Sequence, residues 1–117
     1  MMFSRVKRHL CAFIAGAALL PAAAQAAPAD TTYGYITFMY GGWTIAYLRV
    51  QTDFAFTNPQ GCSLTDGYIV DPADAGSTLF SSMLLSAYMA HRKVSFTIDG
   101  CAGAGRPHII AVAVSPS

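Results

Sequence analysis

Two cysteines, Cys62 and Cys101, constrain the fold of this chain more than any other sequence feature. The third cysteine, Cys11, lies in an N-terminal segment with the features of a removable export signal. Export delivers a protein to an oxidising compartment, where the two remaining thiols pair. We therefore predict a Cys62–Cys101 disulfide, which closes a loop of about 40 residues. A metal site and a nucleophilic cysteine are the alternatives, although no C-x-x-C or H-x-x-x-H spacing occurs.

The first 26 residues predict that signal peptide. Basic residues (Arg5, Lys7 and Arg8) precede an apolar run of eleven residues, Leu10–Leu20, and small residues follow at Ala24-Gln25-Ala26. An apolar run of that length cannot span a bilayer, which requires about 20 residues, and the most apolar later stretch is short and interrupted by serines. We expect cleavage near Ala26, a periplasmic or secreted location in a bacterium, and no membrane span.

The remainder, residues 27–117, has the size and charge of a single small domain. A chain of about 90 residues forms one domain, which buries only roughly 60–65% of its unfolded surface. This size excludes a two-domain cofactor enzyme. The precursor has a formal net charge of +1, but three of its seven Lys and Arg residues lie in the signal and all six acidic residues lie after it. The exported chain therefore carries a charge of about −2, which excludes a basic nucleic-acid-binding surface.

Apolar patterns and turn residues predict the order β-β-β-α-β-β. Gly41-Gly42 is expected to join the first two strands, because a glycine pair tolerates the positive φ angles of a tight turn. A second turn is expected at Asp99-Gly100, between the last two strands. The predicted strands are Thr31–Tyr40, Trp43–Val50, Asp66–Val70, Val94–Ile98 and His108–Val114.

One amphipathic helix is expected between the third and fourth strands, over about Thr78–His91, with Asp74 or Ser77 as its cap. Five short strands with a helix in this place are the order of an OB-fold, a mainly β fold in which the helix plugs a five-stranded barrel. The alternative is an α+β arrangement with the helix on an open antiparallel sheet. The predicted apolar stripe of the helix consists of Leu79, Phe80, Met83, Leu84, Ala87, Tyr88 and Ala90.

The run from Cys62 through this helix to HRKVSFTIDGC and RPHIIAVAV resembles the B subunits of subtilase cytotoxin and typhoid toxin, and a wider set of small exported bacterial proteins. The shared outline covers about Thr31–Val114: a cysteine before the third strand, a helix ending in A…K-V, an alternating strand, and a final strand near a proline. The resemblance implies an OB-like subunit of a five-membered ring that binds sialylated glycans. A connection of only Gly41-Gly42 would be too short to carry a pocket.

Aromatic residues crowd the predicted first hairpin, and polar residues crowd the connection that follows it. Tyrosine and tryptophan present a flat apolar ring with a polar group, which suits a sugar or a protein partner. Amide and carboxylate groups on a loop would bind hydroxyls. The alternatives are core filling for the aromatics and turn formation for Asn58. The candidate ligand-binding residues are Tyr33, Tyr35, Trp43, Asp53 and Asn58.

Few residues would support catalysis. His91 and His108 would carry out acid–base cleavage, or hold zinc, only if they met in one cleft with the charged residues near them. Those charged residues are Lys93, Asp99 and Arg106. No G-x-S-x-G elbow and no phosphate-binding loop occurs. We therefore expect no enzyme activity, no catalytic residue, no metal and no cofactor.

The expected function is binding without chemistry. We expect an exported module that recognises a glycan or a partner protein. The resemblance to toxin B subunits further implies a homo-oligomeric ring and a catalytic A subunit as its partner. The alternatives are a structural or inhibitory periplasmic protein with no small ligand, and a small secreted hydrolase.

Overall fold

The computed structural model describes Gly16, residues 26–42 and residues 44–116. Most of the predicted signal peptide, together with Trp43, therefore lies outside the described residues. The described chain is mainly β, as predicted, with six strands and one helix. The elements are β1 (Ala29–Asp30), β2 (Ile36–Gly42), β3 (Tyr47–Thr52), β4 (Tyr68–Val70), α1 (Ser77–Met89), β5 (Val94–Ala102) and β6 (Arg106–Val114).

The six strands form one mixed sheet in the order β1-β5-β6-β4-β3-β2. All neighbours are antiparallel except β4 and β6, which run parallel with Ile69 opposite His108. The sheet is not a closed barrel, and it contains one strand more than predicted because Ala29–Asp30 pairs with Ile98 and Thr97 of β5. This pairing was missed because two residues carry no recognisable strand pattern.

The predicted turn at Gly41-Gly42 was wrong. Gly41 and Gly42 continue the ladder opposite Leu48 and Tyr47, and residues 44–46 form a turn. Glycine accepts extended backbone as readily as a turn, so a Gly-Gly pair alone does not locate the reversal. The connection between β2 and β3 is therefore longer than the two residues expected, and it is not too short to carry a pocket.

The predicted turn at Asp99-Gly100 was also wrong, because β5 runs on to Ala102. The register of β5 on β6 shifts between Ile98 and Cys101, and Gly100 has φ 72° at this irregularity. A bulge uses glycine at positive φ as a turn does, which explains the error. The reversal lies at residues 103–105, where Gly103 and Gly105 have φ 60° and 112°.

The core lies between the sheet and one face of α1. Val94, Phe96 and Ile98, which alternate with Ser95 and Thr97 in the sequence, are buried on one face of β5. The rings of Phe96 and Tyr68 meet edge to face with centroids 5.3 Å apart. The other buried members of this cluster are Ile36, Val50, Val70, Leu84, Ala87 and Ile109.

The helix buries less of its predicted stripe than expected. Leu84 and Ala87 are buried, whereas Leu79 is 61% exposed and Tyr88 is 42% exposed. A single helix on a small sheet has neighbours on one narrow face only, so apolar residues beside that face stay in solvent. The exposed apolar residues therefore form a surface rather than a second core.

The predicted helix cap was wrong as well. Gly76 occupies the N-cap position, and no side chain donates or accepts a capping hydrogen bond there. The Asp74 carboxylate instead contacts His108, and the Ser77 hydroxyl donates to the carbonyl of Pro72 at 3.4 Å. The Asp74 carboxylate thus contacts His108 of β6 in place of the helix amides that it was predicted to cap.

The predicted disulfide is present. Cys62 and Cys101 are bonded with their Cα atoms 5.7 Å apart. The bond joins the loop before β4 to the end of β5 across 39 residues of sequence. Asn58 holds the buried cysteine from two sides, because its Oδ1 accepts the amide of Cys62 at 2.8 Å and its Nδ2 donates to the Cys62 carbonyl at 3.0 Å.

We expect replacement of both cysteines by serine (C62S/C101S) to lower the free energy of unfolding by about 2–5 kcal/mol, because the cross-link no longer restricts the unfolded chain. Urea unfolding of the exported chain measures the loss. Strong reductant should have the same effect on the natural protein and none on the double variant. Equal stability of the natural protein with and without reductant would contradict this prediction.

Candidate functional site

A concave pocket of about 810 Å³ opens beside the β2–β3 hairpin and the turn between β5 and β6. We call it the aromatic–arginine pocket. Its walls combine tyrosine rings with two guanidinium groups, and the turn residues Gly103 and Ala104 close one side. The side chains that carry the argument below are Tyr40, Tyr47, Arg49 and Arg106.

The two arginines of this pocket form an ion cluster with Asp66, which does not itself line the pocket. Arg106 binds the Asp66 carboxylate through two atoms, with Nε 2.6 Å from Oδ1 and Nη2 3.0 Å from Oδ2. Arg49 donates to Oδ2 of the same carboxylate from 2.7 Å. Two guanidinium groups therefore share one carboxylate, and the cluster keeps one positive charge.

The pKa values of the cluster move in the directions that this pairing requires. The hydrogen bond from Arg106, reinforced by the charges of Arg106 and Arg49, lowers the pKa of Asp66 below its ordinary value of 3.8 against the opposing effect of burial. The hydrogen bond to Asp66 raises the pKa of Arg106. Asp66 and Arg106 therefore both stay charged at neutral pH.

Aromatic rings cover the other face of Arg49. Tyr40 lies directly opposite Arg49 in the β2–β3 ladder, so their side chains share one face of the sheet. The guanidinium carbon lies 5.1 Å from the ring centroid of Tyr40 and 5.8 Å from that of Phe38. The two rings are themselves stacked, 6.4 Å apart and 11° from parallel. The result is a flat aromatic surface with a cation against it.

The turn that carries Arg106 is held close to the loop before β4. The amide of Leu64 donates to the carbonyl of Gly105 at 3.0 Å. A Cβ atom at position 105 would come within 2.7 Å of the Ser63 hydroxyl, so only glycine permits this approach. The neighbouring disulfide at Cys101 ties the same two segments. Arg106 is thus placed by a rigid turn rather than by a free loop.

The predicted tyrosines lie elsewhere. Tyr33 is 55% exposed and does not line the pocket. The ring of Tyr35 stacks on His91 at 4.1 Å and 3°, and Lys93 Nζ lies 5.6 Å from its centroid. Trp43 lies outside the described residues.

The predicted polar residues take structural contacts. Asp53 accepts the amide of Tyr35 at 2.7 Å, which fixes the entry to β2. Asn58 makes the two hydrogen bonds to Cys62 already described, in agreement with its alternative interpretation as a turn residue. Neither residue lines the aromatic–arginine pocket.

The residues that do form the pocket were only partly visible in the sequence. Tyr40 and Tyr47 belong to the aromatic hairpin that was singled out, and Arg106 was considered only for catalysis. Arg49 and Asp66 were missed. Arg49 is the one charged residue in the predicted strand WTIAYLRV, and that isolated charge is the signal that would have located it.

The two histidines have separate partners. His91 follows α1 with φ 50° and stacks on Tyr35, whereas His108 Nε2 lies 2.5 Å from Asp74 Oδ2. No contact among the described residues joins the two imidazoles to each other.

The chain matches no protein-family model, no curated protein and no solved structure. Within the described part of the chain, no helix has the length and apolar character needed to cross a membrane.

We expect replacement of Arg106 by methionine (R106M) to raise the pKa of Asp66 toward 3.8, because it removes the largest cause of the lowering. The matched variant R49M should raise it less. The Asp66–Arg pairing is complete above the ordinary carboxyl pKa and is lost as pH falls through the lowered one. Carboxyl NMR titration measures the midpoint. A midpoint at or above 3.8 in the natural protein would contradict the pairing.

Proposed function

We propose that this protein is an exported, non-enzymatic binding module, and that its aromatic–arginine pocket binds a glycan. The observation that supports this proposal is the side-by-side placement of the Tyr40 and Tyr47 rings with the Arg49 and Arg106 guanidinium groups in one concave surface. A sugar presents apolar C–H faces and polar hydroxyl edges. The rings would accept the faces, and the guanidinium groups would bind the edges.

The arginines keep donors for such a ligand. A guanidinium has five N–H donors, and contacts to Asp66 use two of the nitrogens of Arg106 and one of Arg49. The buried Nε of Arg49 has no hydrogen-bond partner among the described residues. This atom has almost no accessible surface, so a ligand in the pocket would bind the remaining N–H groups of the terminal nitrogens instead. Asp66 prevents the two cations from repelling each other while the pocket is empty.

We propose in addition that the sheet, although it is not a closed barrel, follows the strand plan of an OB-fold. The five longer strands follow one another in the order β2-β3-β4-β6-β5, with β4 and β6 parallel. Gly34, just before β2, exchanges backbone hydrogen bonds of 3.0 and 2.8 Å with Val94 at the start of β5. This bridge brings the two outer strands of the set together. This strand order supports the proposed resemblance to toxin B subunits. Export and an A subunit as partner are parts of the same proposal.

Glycan-array binding of the exported chain tests the proposal. We expect binding by the natural protein and a loss of about tenfold or more in affinity for Y40A and R106M, because each removes a ring or a charged donor from the pocket. The matched control is Y33A, which removes an exposed tyrosine that does not line the pocket. Absence of binding to sialylated and neutral glycans alike would exclude this function and favour the structural or inhibitory alternative.

A second observation favours self-association. The helix and the β2–β3 hairpin flank a groove of about 530 Å³, and none of the described residues that line it is charged. Its walls include Ile45, Leu85, Tyr88 and Met89, which are 55%, 55%, 42% and 76% exposed. Contiguous apolar surface of this kind marks an interface. We propose a second copy of the chain as its occupant, since each copy would offer the other an uncharged apolar surface.

We expect light scattering of the exported chain to give the mass of an oligomer at micromolar concentration. A charge in the groove, L85E or M89E, should lower that mass because the interface would bury an unpaired carboxylate. The control is S86E, on an exposed helix position outside the groove lining. A monomeric natural protein, or an S86E variant that dissociates as readily as L85E, would contradict this interface.

A further inference from the structure

Three metal-ligating side chains meet at the start of the loop that follows β4. One donor atom each of Asp71, Asp74 and His108 lies within 4.8 Å of the other two, and all three residues are partly buried. His108 Nε2 and Asp74 Oδ2 are 2.5 Å apart. This cluster lies outside the aromatic–arginine pocket and has no part in the glycan proposal.

The fold assembles the cluster from two distant segments. The parallel pairing of β4 and β6 sets Ile69 opposite His108, and Asp71 follows at the end of β4. A turn then returns the chain, with the amide of Asp74 donating to the carbonyl of Asp71 at 3.1 Å. Asp74 and His108 are 34 residues apart in sequence. The cluster is therefore a product of the topology, not a local run of acidic residues.

The charges of the cluster are unbalanced. No Lys or Arg among the described residues forms an ion pair with Asp71 or Asp74, in contrast to the two arginines that share Asp66. Two carboxylates at this separation repel each other, and one imidazole neutralises at most one of them. A divalent cation would balance both.

The donor set indicates which cation. One imidazole nitrogen with two carboxylate oxygens suits Zn²⁺ and related transition ions, whereas Ca²⁺ and Mg²⁺ prefer oxygen ligands only. Three protein ligands leave at least one coordination position for water. Neighbouring ligand atoms on zinc lie about 3.3 Å apart, so His108 Nε2 and Asp74 Oδ2 would move apart when the ion enters between them.

We propose that Asp71, Asp74 and His108 form a site for a divalent transition metal of the Zn²⁺ class. From the sequence, zinc was an alternative only for the two histidines with Asp99 near them, and no metal was expected. Asp71 and Asp74 come close to His108 only through the β4–β6 pairing. The bound ion would clamp the loop before α1 onto β6. Its ligands come from both segments, so binding would stabilise the fold and leave an accessible coordination position.

Calorimetric titration of the exported chain with ZnCl₂, without a polyhistidine tag and after removal of metals with EDTA, tests the site. We expect one Zn²⁺ per chain, a raised melting temperature, and NMR shifts of the His108 imidazole with the His91 imidazole unchanged. MgCl₂ and CaCl₂ serve as control ions and should have little effect. Absence of Zn²⁺ binding, or shifts at His91 instead of His108, would overturn the proposal.

Two conservative variants separate metal binding from folding. D71N keeps an oxygen to accept the amide of Ala73, which Asp71 Oδ1 accepts at 2.9 Å, and D74N keeps an acceptor for His108. Each should fold normally and weaken Zn²⁺ binding by about tenfold or more. The matched control H91Q should bind as the natural protein does. Unchanged affinity in both Asn variants would overturn the site, and the NMR titration of the natural protein decides the matter if either variant fails to fold.

Discussion

The Cys62–Cys101 disulfide is the constraint on which the pocket side of the molecule depends. Fifteen residues separate the end of β3 at Thr52 from the start of β4 at Tyr68, and none of them belongs to a helix or strand. A segment of this length needs other anchors to be rigid. The disulfide supplies a covalent one, and it does so beside the turn that presents Arg106.

The non-covalent anchors of this loop converge on the same region. Tyr68 accepts the amide of Thr57 at 2.7 Å through its buried hydroxyl, and Gln60 donates to Asp99 at 2.9 Å. Burial raises the pKa of Tyr68, so its hydroxyl stays neutral while its oxygen accepts the Thr57 amide. These anchors hold the loop at Thr57, Gln60 and Cys62, all of which precede Asp66 in the sequence. They thereby place the Asp66 carboxylate against Arg49 and Arg106. The electrostatics of the pocket follow from the cross-links of the loop.

Regular patterns were reliable where one face of an element is buried. The alternation of Val94, Phe96 and Ile98 identified the core face of β5, because each of these side chains packs into the same cluster. The turns predicted at Gly41-Gly42 and Asp99-Gly100 were wrong, since glycine serves an extended strand, a bulge and a turn alike. The predicted bounds of the helix, Thr78–His91, were close to the observed Ser77–Met89. The exposure of its apolar residues was not predictable in the same way, because it depends on how few elements cover the helix.

The two candidate sites could not be predicted as sites, for a common reason. Arg49 and Arg106 meet at Asp66 only after the disulfide and the β5–β6 turn have formed, and Asp74 reaches His108 only through the parallel β4–β6 pairing. Sequence spacing carries no information about such meetings. The residue types did carry some information about the pocket, since Tyr40 and Tyr47 belong to the first hairpin, whose aromatic content was already noted.

The β2–β3 hairpin links the proposed assembly to the proposed binding site. Gly42, Ile45 and Tyr47 line both the aromatic–arginine pocket and the apolar groove, so the same short segment forms a wall of each. A second copy seated in the groove would restrict the motion of residues 44–46 and thereby fix the rim of the pocket. Ordering of a binding surface before the ligand arrives reduces the entropy that binding must overcome. Assembly would in this way strengthen each pocket as well as multiply the number of pockets that one partner surface can engage.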